Sequence, residues 1–378
     1  MMTTMQDSLF DDSQLPTPLP VRSSAVAPAA SAARAPRLRG TGTAARVGPA
    51  QQGAAVHALH DALPLRLRIG TSSWHFPGWK DLLWDGDYEQ SVLSKHGLAA
   101  YAKHPLLRSV SIDRSFYRPL SASQFAAYAA QVPDDFRFVV KAPSVVTDAM
   151  VRDQAGRGQQ LNTTYLDPTI AAEQFVRPAL EGLGHKVGAL VFQLSPLPGP
   201  MLAQLPGILQ RIRMMLAALP ALQPTAPDAV IAVEVRNPEF LTPGFVEVLR
   251  EVGATYCLGL HPKMPPIAEQ LPMLRALWPG PLVCRWNLNP RHGAYGYEKA
   301  KGLYQPFDRL VDPDPETRRA LARVIVGTTG AGHNAYVTIN NKAEGSAPLS
   351  AVALAEAAAL LSSQMLPASP SALSEGFD

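Results

Sequence analysis

Three charged residues sit at the ends of apolar runs, where a plain transition to loop explains them poorly. Lys141 closes FRFVVK, Glu234 lies in AVIAVEV with Arg236 two residues on, and Arg285 lies in PLVCRWN with Asn287 two residues on. Asp113 closes LRSVSID, Gln193 closes VGALVFQ and Asn340 closes NAYVTIN; Thr71, Ser73 and His261 hold the corresponding places in the remaining runs. Residues two apart in a strand share a face, so Glu234 and Arg236 are expected to project together, as are Arg285 and Asn287. Buried charges need partners. Lys141, Arg236 and Arg285 outnumber Glu234 and Asp113, and Arg118 and Lys342 lie in loops beyond the same strand ends. The excess predicts an anionic ligand, a phosphate or carboxylate, which Arg binds bidentately. Glu234, held ionised by Arg236, is the expected acid or base. Lys141 would act as an electrophile or, if desolvated, as a Schiff-base lysine. Glu234 and Arg236 read equally as an ion pair that braces the fold.

Other chemistries find less support. His75, Asp113, Glu234 and His261 could converge on a divalent metal. The chain nevertheless lacks H-E-x-x-H, H-x-H and any cysteine pair with zinc spacing, so no metal ligand is assigned and no cofactor is named. GTSSW is not the G-x-S-x-G of a nucleophile elbow, and Ser72 and Ser73 are expected to hydrogen-bond loop backbone or ligand. Trp74, Phe76 and Trp79 follow the first run and Phe116 and Tyr117 the second. They read either as packing over the strand ends or as a wall on which a base or sugar stacks.

The elements that must position these residues alternate. Candidate strands are 66–72, 107–113, 136–141, 187–193, 229–235, 255–260, 281–287 and 334–340. Helical patterns lie near 91–104, 121–131, 170–180, 201–218, 243–252, 266–277, 315–326 and 348–362. Ser121 and Thr242-Pro243 are helix-start signals. Apolar strands alternating with helices predict a parallel sheet covered on both faces. Eight strand–helix units in about 300 residues predict an α/β fold, a single TIM-type (β/α)8 barrel, with the polar strand ends at its functional face. No G-x-G-x-x-G supports a dinucleotide-binding open sheet. The stretch NPRHGAYGYEKAKGLYQPF after the seventh run is long enough to serve as a lid.

The order GTSSWHFPGWK, SIDRSFYRPLS, FRFVVKAP, VGALVFQLSP, VEVRNPEF and INNKAEGSAP resembles the YecE-like family, also called domain of unknown function 72, over about residues 66–362. The resemblance implies a TIM-type barrel and supplies no reaction. It carries over Phe116, Tyr117, Arg118, Lys141, Gln193, Glu234, Arg236, Asn340 and Asn341 as pocket residues. This chain has Ser111-Ile112-Asp113 where the family typically has Glu-x-Asn, and Arg236-Asn237-Pro238 where it often has Arg-His-Pro. A role resting on that Glu or His therefore does not transfer. The assigned site is Glu234, Lys141 and Asp113 for catalysis. Ser73, Trp74, Tyr117, Arg118, Gln193, Arg236, Arg285, Asn287, Asn340 and Asn341 are assigned to binding.

Composition bounds the rest. The 378 residues are 47% hydrophobic and 17% charged, with 34 Lys and Arg against 31 Asp and Glu, a net +3. So small a charge excludes bulk electrostatic coating of nucleic acid or membrane. Two cysteines are too few for a disulfide framework and predict a reducing cytoplasm. No run approaches the roughly 18 apolar residues of a membrane span, and the acidic start does not read as a secretory signal. Residues 1–64 hold one Phe and neither Trp nor Tyr, which predicts a disordered Pro/Ala-rich arm. Residues 363–378 predict a flexible tail, leaving 65–362 as the barrel. Within the arm, Gln6, Leu9 and Phe10 resemble the short peptide by which bacterial DNA-processing proteins dock on the sliding clamp. That would suit a barrel nuclease acting on nucleic acid. The leading expectation is a hydrolase or lyase acting on an anionic small molecule; a non-catalytic binder of an anionic metabolite is the third.

Overall fold

The computed structural model describes residues 46–153 and 158–365. Eight parallel strands close into a barrel in chain order: β1 (Leu67–Thr71), β2 (Leu107–Ile112), β3 (Arg137–Lys141), β4 (Val187–Gln193), β5 (Val230–Glu234), β6 (Thr255–Leu260), β7 (Leu282–Trp286) and β8 (Ala335–Ile339). Each falls within an expected run, and helices surround the closed sheet. The strands read as unbroken apolar runs because both faces are buried. One face looks into the lumen, where Val139, Ala189, Val191, Ala232, Cys257, Val283 and Tyr336 form their own apolar layer. The other lies under the helices, with Val110, Phe138, Val140, Leu190, Phe192, Val233, Leu258, Trp286 and Ile339 in the larger core. Cys257 and Cys284 are free, buried thiols, and burial pushes both well above the ordinary thiol range, so they stay inert.

The helix starts follow local chemistry. The Ser121 hydroxyl accepts from Gln124 N while the Gln124 side chain reaches back to Ser121 N, a reciprocal capping box. Thr242 accepts from Phe245 N, with Pro243 in the first helical position. No helix among the described residues is long and apolar enough to cross a membrane.

Three observations depart from expectation. First, order begins ahead of residue 65. Val47 is buried, Pro49 bridges Trp84, and Ala54–Ala62 form a helix against the last one, Ala347–Met365. Val56, Leu59 and Leu63, spaced three and four apart, pack on the core, so these few apolar groups suffice where composition predicted none. Residues 1–45, including Gln6, Leu9 and Phe10, lie outside the described residues. Second, the final helix runs past 362; the expected tail beyond Met365 also lies outside them. Third, an antiparallel hairpin, Met150–Arg152 with Gly158–Leu161, follows β3. Its strands are mostly exposed and polar, without the apolar alternation that marks a strand in sequence.

Candidate functional site

Register places the polar strand-end side chains at the C-terminal rim. Inward parity, set by the lumen layer, continues upward through Lys141, Gln193, Glu234 and Arg285. Gln193 lies beside Glu234, and Gly259 beside Arg285. Gly259 is what lets the carboxylate in: a Cβ there would stand 3.2 Å from Glu234 Oε1. Asp113, Arg236 and Asn287 follow their strands and complete the ring.

These side chains form one network centred on Arg285. Its Nη1 donates to Glu234 Oε2 at 2.6 Å and to Gln193 Oε1 at 3.1 Å, and its Nη2 to Asp113 Oδ2 at 2.7 Å. Arg236 Nη2 lies 2.7 Å from Glu234 Oε1 and donates to Gln193 Oε1 at 3.2 Å. Asn287 Nδ2 donates to Glu234 Oε1 at 3.3 Å, and Ser111 Oγ to Asp113 Oδ1 at 2.5 Å. Both oxygens of each carboxylate are therefore taken. Burial opposes ionisation of Glu234, but Arg236 and Arg285 outweigh it and hold the carboxyl below its ordinary range. Burial likewise disfavours the Arg285 cation, and Asp113 and Glu234 more than restore it.

Lys141 stands beside this network and outside it. Among the described residues its ammonium makes no ion pair and no hydrogen bond; its near neighbour is the Phe116 ring, 3.5 Å to the centroid. Burial, with Arg285 and Arg236 opposing Asp113 and Glu234, lowers it to about 7. It is the one member of the ring poised to change charge near neutrality.

The lid segment contributes a residue that the sequence reading did not single out. Tyr297 opens the helix Tyr297–Tyr304, and its hydroxyl accepts from Asn340 Nδ2 at 3.3 Å; its charge interactions reach Tyr117, Asp113 and Arg285. Its sequence signal was the long Gly- and Tyr-rich stretch, which flags a lid without choosing among its tyrosines. Asn340 Nδ2 also donates to Ser72 Oγ at 2.9 Å. Beside this helix, buried Lys342 holds its ammonium 4.1 Å from the Tyr297 ring centroid.

Other expected residues fall elsewhere. Thr71 does not point inward: it bonds the Tyr101 hydroxyl on the helix side, because inward parity on β1 falls on Gly70, beside Thr338. Ser73 is buried and its carbonyl accepts from Thr71 Oγ1; the serine bonded to Asn340 is Ser72. Trp74 is buried with its ring edge-on to Tyr128, and Trp79 is enclosed, so these two serve as packing. Asn341 braces the last loop, its Oδ1 accepting from Trp79 Nε1 and Ala347 N. Tyr117, 48% exposed, and exposed Arg118 stand at the rim. His75 Nδ1 pairs with Gln90, and His261 Nδ1 accepts from Lys263 N; burial lowers His261 to about 2, so it is neutral. Among the described residues no three His, Cys, Asp or Glu side chains gather as a metal set. Two hollows of about 170 Å³ lie away from the mouth, one beside Leu63–Leu67 and one under Trp278. Neither gathers a carboxylate–arginine network, which among the described residues stands at the strand ends.

Fold and mouth together define a TIM-type barrel protein whose C-terminal face is occupied by a buried carboxylate–arginine network with an unpaired lysine. The chain belongs to the DUF72 family, the YecE-like proteins: residues 68–373 match the family described as protein of unknown function DUF72. A DUF72 family protein of Thermotoga maritima MSB8 is similar in structure, with TM-score 0.50 and 21% identity, over 77% of this chain and 98% of its own. One of Enterococcus faecalis V583 has TM-score 0.49 and 19% identity, over 77% of this chain and 95% of its own. At such identity the likeness speaks to the fold alone. No curated protein matches the chain.

Proposed function

We propose that this protein is an enzyme, a hydrolase or lyase, that takes a phosphorylated or otherwise anionic small molecule at the C-terminal face of the barrel. The carrying observation is the uncommitted Lys141 ammonium. Asp113 and Glu234 are already paired by two arginines, so an entering anion meets a cation that makes no ion pair among the described residues. Exposed Arg118 adds charge at the rim. The geometry also reassigns roles. Arg285 is spent on two carboxylates and supports the pocket as a frame rather than a clamp. Glu234 has no free oxygen and suits that frame better than acid–base work. Lys141 is left as the group that acts on the ligand.

The test is a thermal-shift panel of inorganic phosphate, glycerol 3-phosphate, nucleotides and citrate at pH 6.5, run on wild type and Lys141→Met. A ligand at a hundredfold excess over its dissociation constant adds about 2.7 kcal/mol, on the order of 5 °C for a domain this size. At least one anion should give that shift in the wild type and lose most of it in the variant. Equal shifts in both proteins, or none, would overturn the reading.

A further inference from the structure

Resting on that reading, we propose that Lys141 forms a Schiff base with its ligand, so that the substrate class is an anionic aldehyde or ketone.

The argument is one of placement. An amine that serves only to bind an anion gains from neighbouring carboxylates that keep it charged. Here the two carboxylates within reach are turned to Arg285 and Arg236. Four groups of the mouth act electrostatically on Lys141: Arg285 and Arg236 repel its proton, while Asp113 and Glu234 attract it. The attraction is blunted because each carboxylate is already paired. On its remaining side lies the Phe116 ring, 3.5 Å to the centroid, whose π face attracts the ammonium but is a weaker partner than a carboxylate. The amine is thus half-buried, without an ion pair or hydrogen bond among the described residues, and set at a strand end, the place from which barrel residues reach a ligand. Burial of this kind is how a lysine becomes a nucleophile near neutral pH.

The step balances without any oxidant. The amine lone pair forms the C–N bond as the carbonyl π bond breaks, giving a carbinolamine. The carbonyl oxygen then leaves as water, carrying the two amine protons, and a C=N bond remains. Protonation of that nitrogen by solvent gives an iminium that Arg285 repels and that Asp113 and Glu234 stabilise. The anionic part of the ligand would lie toward Arg118 and Tyr117 at the rim.

The experiment uses the full chain. Glyceraldehyde 3-phosphate is incubated with the protein at pH 7.5 and sodium borohydride is added, which reduces an imine to a stable secondary amine. Peptide mass mapping then reads the modified lysines. Lys141 should label at least about tenfold over any other lysine, since a nearly neutral amine outcompetes surface lysines that are almost wholly protonated. Lys141→Arg should lose that label while the surface background stays. Glycerol 3-phosphate, which has the phosphate and no carbonyl, serves as the parallel thermal-shift ligand. If it stabilises the protein but Lys141 labels no better than surface lysines, the Schiff base is wrong and the anion site stands. If it gives no shift and Lys141 does not label, both fail. Uniform labelling of all lysines also overturns the inference.

Discussion

Both ends of the barrel bury arginine, and they do so differently. At the N-terminal end Arg137 Nη2 donates to Asp228 Oδ2 at 2.8 Å, while its Nη1 donates to the backbone carbonyls of Asp134 and Phe136. Arg68 donates to the Leu65 carbonyl, and the Tyr336 hydroxyl to the Asp228 carbonyl. Backbone oxygens carry much of that load, and Asp228 is partly open to water. At the C-terminal end the bonds to Arg285 and Arg236 come from side chains alone, Glu234 is fully enclosed, and a lysine stands unpaired beside them. A structural plug needs permanent charges and nearby acceptors, and the lower end has both. Burying charge is common to the two ends and does not by itself mark function. What marks the upper end is a group lowered to about 7 that makes no ion pair or hydrogen bond among the described residues.

The largest expected effect tests the dependence on enclosed side chains. Glu234→Ala leaves Arg285 and Arg236 buried with their main partner gone, and should cost about 3–5 kcal/mol in urea denaturation. Asp228→Ala removes a carboxylate that water can replace in part, and should cost about 1 kcal/mol. Equal losses would erase the distinction between the ends.

A smaller effect separates the titrating end from the permanent one. Lys141 lies at about 7 in the folded protein, below its unfolded value. Between about 7 and about 10.4 the unfolded chain keeps the proton that the folded chain has shed, so stability rises with pH across that window. Glu234, held below its ordinary range, is already ionised there and the guanidinium of Arg285 stays charged, so neither adds a slope. Discounted for water reaching the mouth, the gain is on the order of 1–2 kcal/mol. Urea midpoints at pH 6, 8 and 9.5 should climb less in Lys141→Met than in wild type. Arg137→Met at the other end should shift the curve down without changing its slope. An unchanged slope in Lys141→Met would place the lysine's folded value near its unfolded one.

How much of this was legible follows from what sequence encodes. Strand positions are readable because burial on both faces forces unbroken apolar runs such as VGALVFQ. A shared face is readable from pairs two apart, which is why Glu234, Arg236, Arg285 and Asn287 could be grouped before any geometry was known. Pairing is not readable. Nothing in the sequence says that Arg285 faces Glu234 and Asp113 together, since those contacts span more than 50 and more than 170 positions. The anion clamp was therefore expected of Arg285, and the structure gives it internal partners instead. Alternation gives two faces without saying which is inward: on β1 the inward set falls on Gly70, beside Thr338, and Thr71, with Leu67 and Ile69, faces the helices. Loop residues were the least legible. The packing of Trp74 and Trp79 and the bonds of Asn341 to Trp79 and Ala347 could not be read, because a loop's side-chain direction depends on contacts no local pattern records.

The smallest expected effect concerns a second lysine at the upper end. Lys342 is 1% exposed, lies over Tyr297 and also faces Phe307 at 5.7 Å, and makes no ion pair among the described residues. Burial, with Lys301 repelling and Glu298 attracting, lowers it to about 7. Lys342→Met keeps the length, removes the buried charge and loses the cation–π contact, which is worth about 0.5–2 kcal/mol. At pH 6 the wild-type lysine is charged in both states, so the variant escapes the burial cost and should be slightly the more stable. By pH 9.5 the folded wild-type lysine is neutral and its burial costs little, so the difference should shrink or change sign. The change between the two pH values follows from the folded and unfolded proton affinities alone and should be on the order of 1–2 kcal/mol, as for Lys141, while loss of the ring contact lowers the variant at both pH values. Arg68→Met at the lower end should destabilise equally at both pH values, since a guanidinium keeps its charge throughout and loses its bond to Leu65 O. A difference between Lys342→Met and wild type that is the same at pH 6 and pH 9.5 would show that this lysine does not titrate in the window. The upper end would then hold one such group, Lys141, and not two.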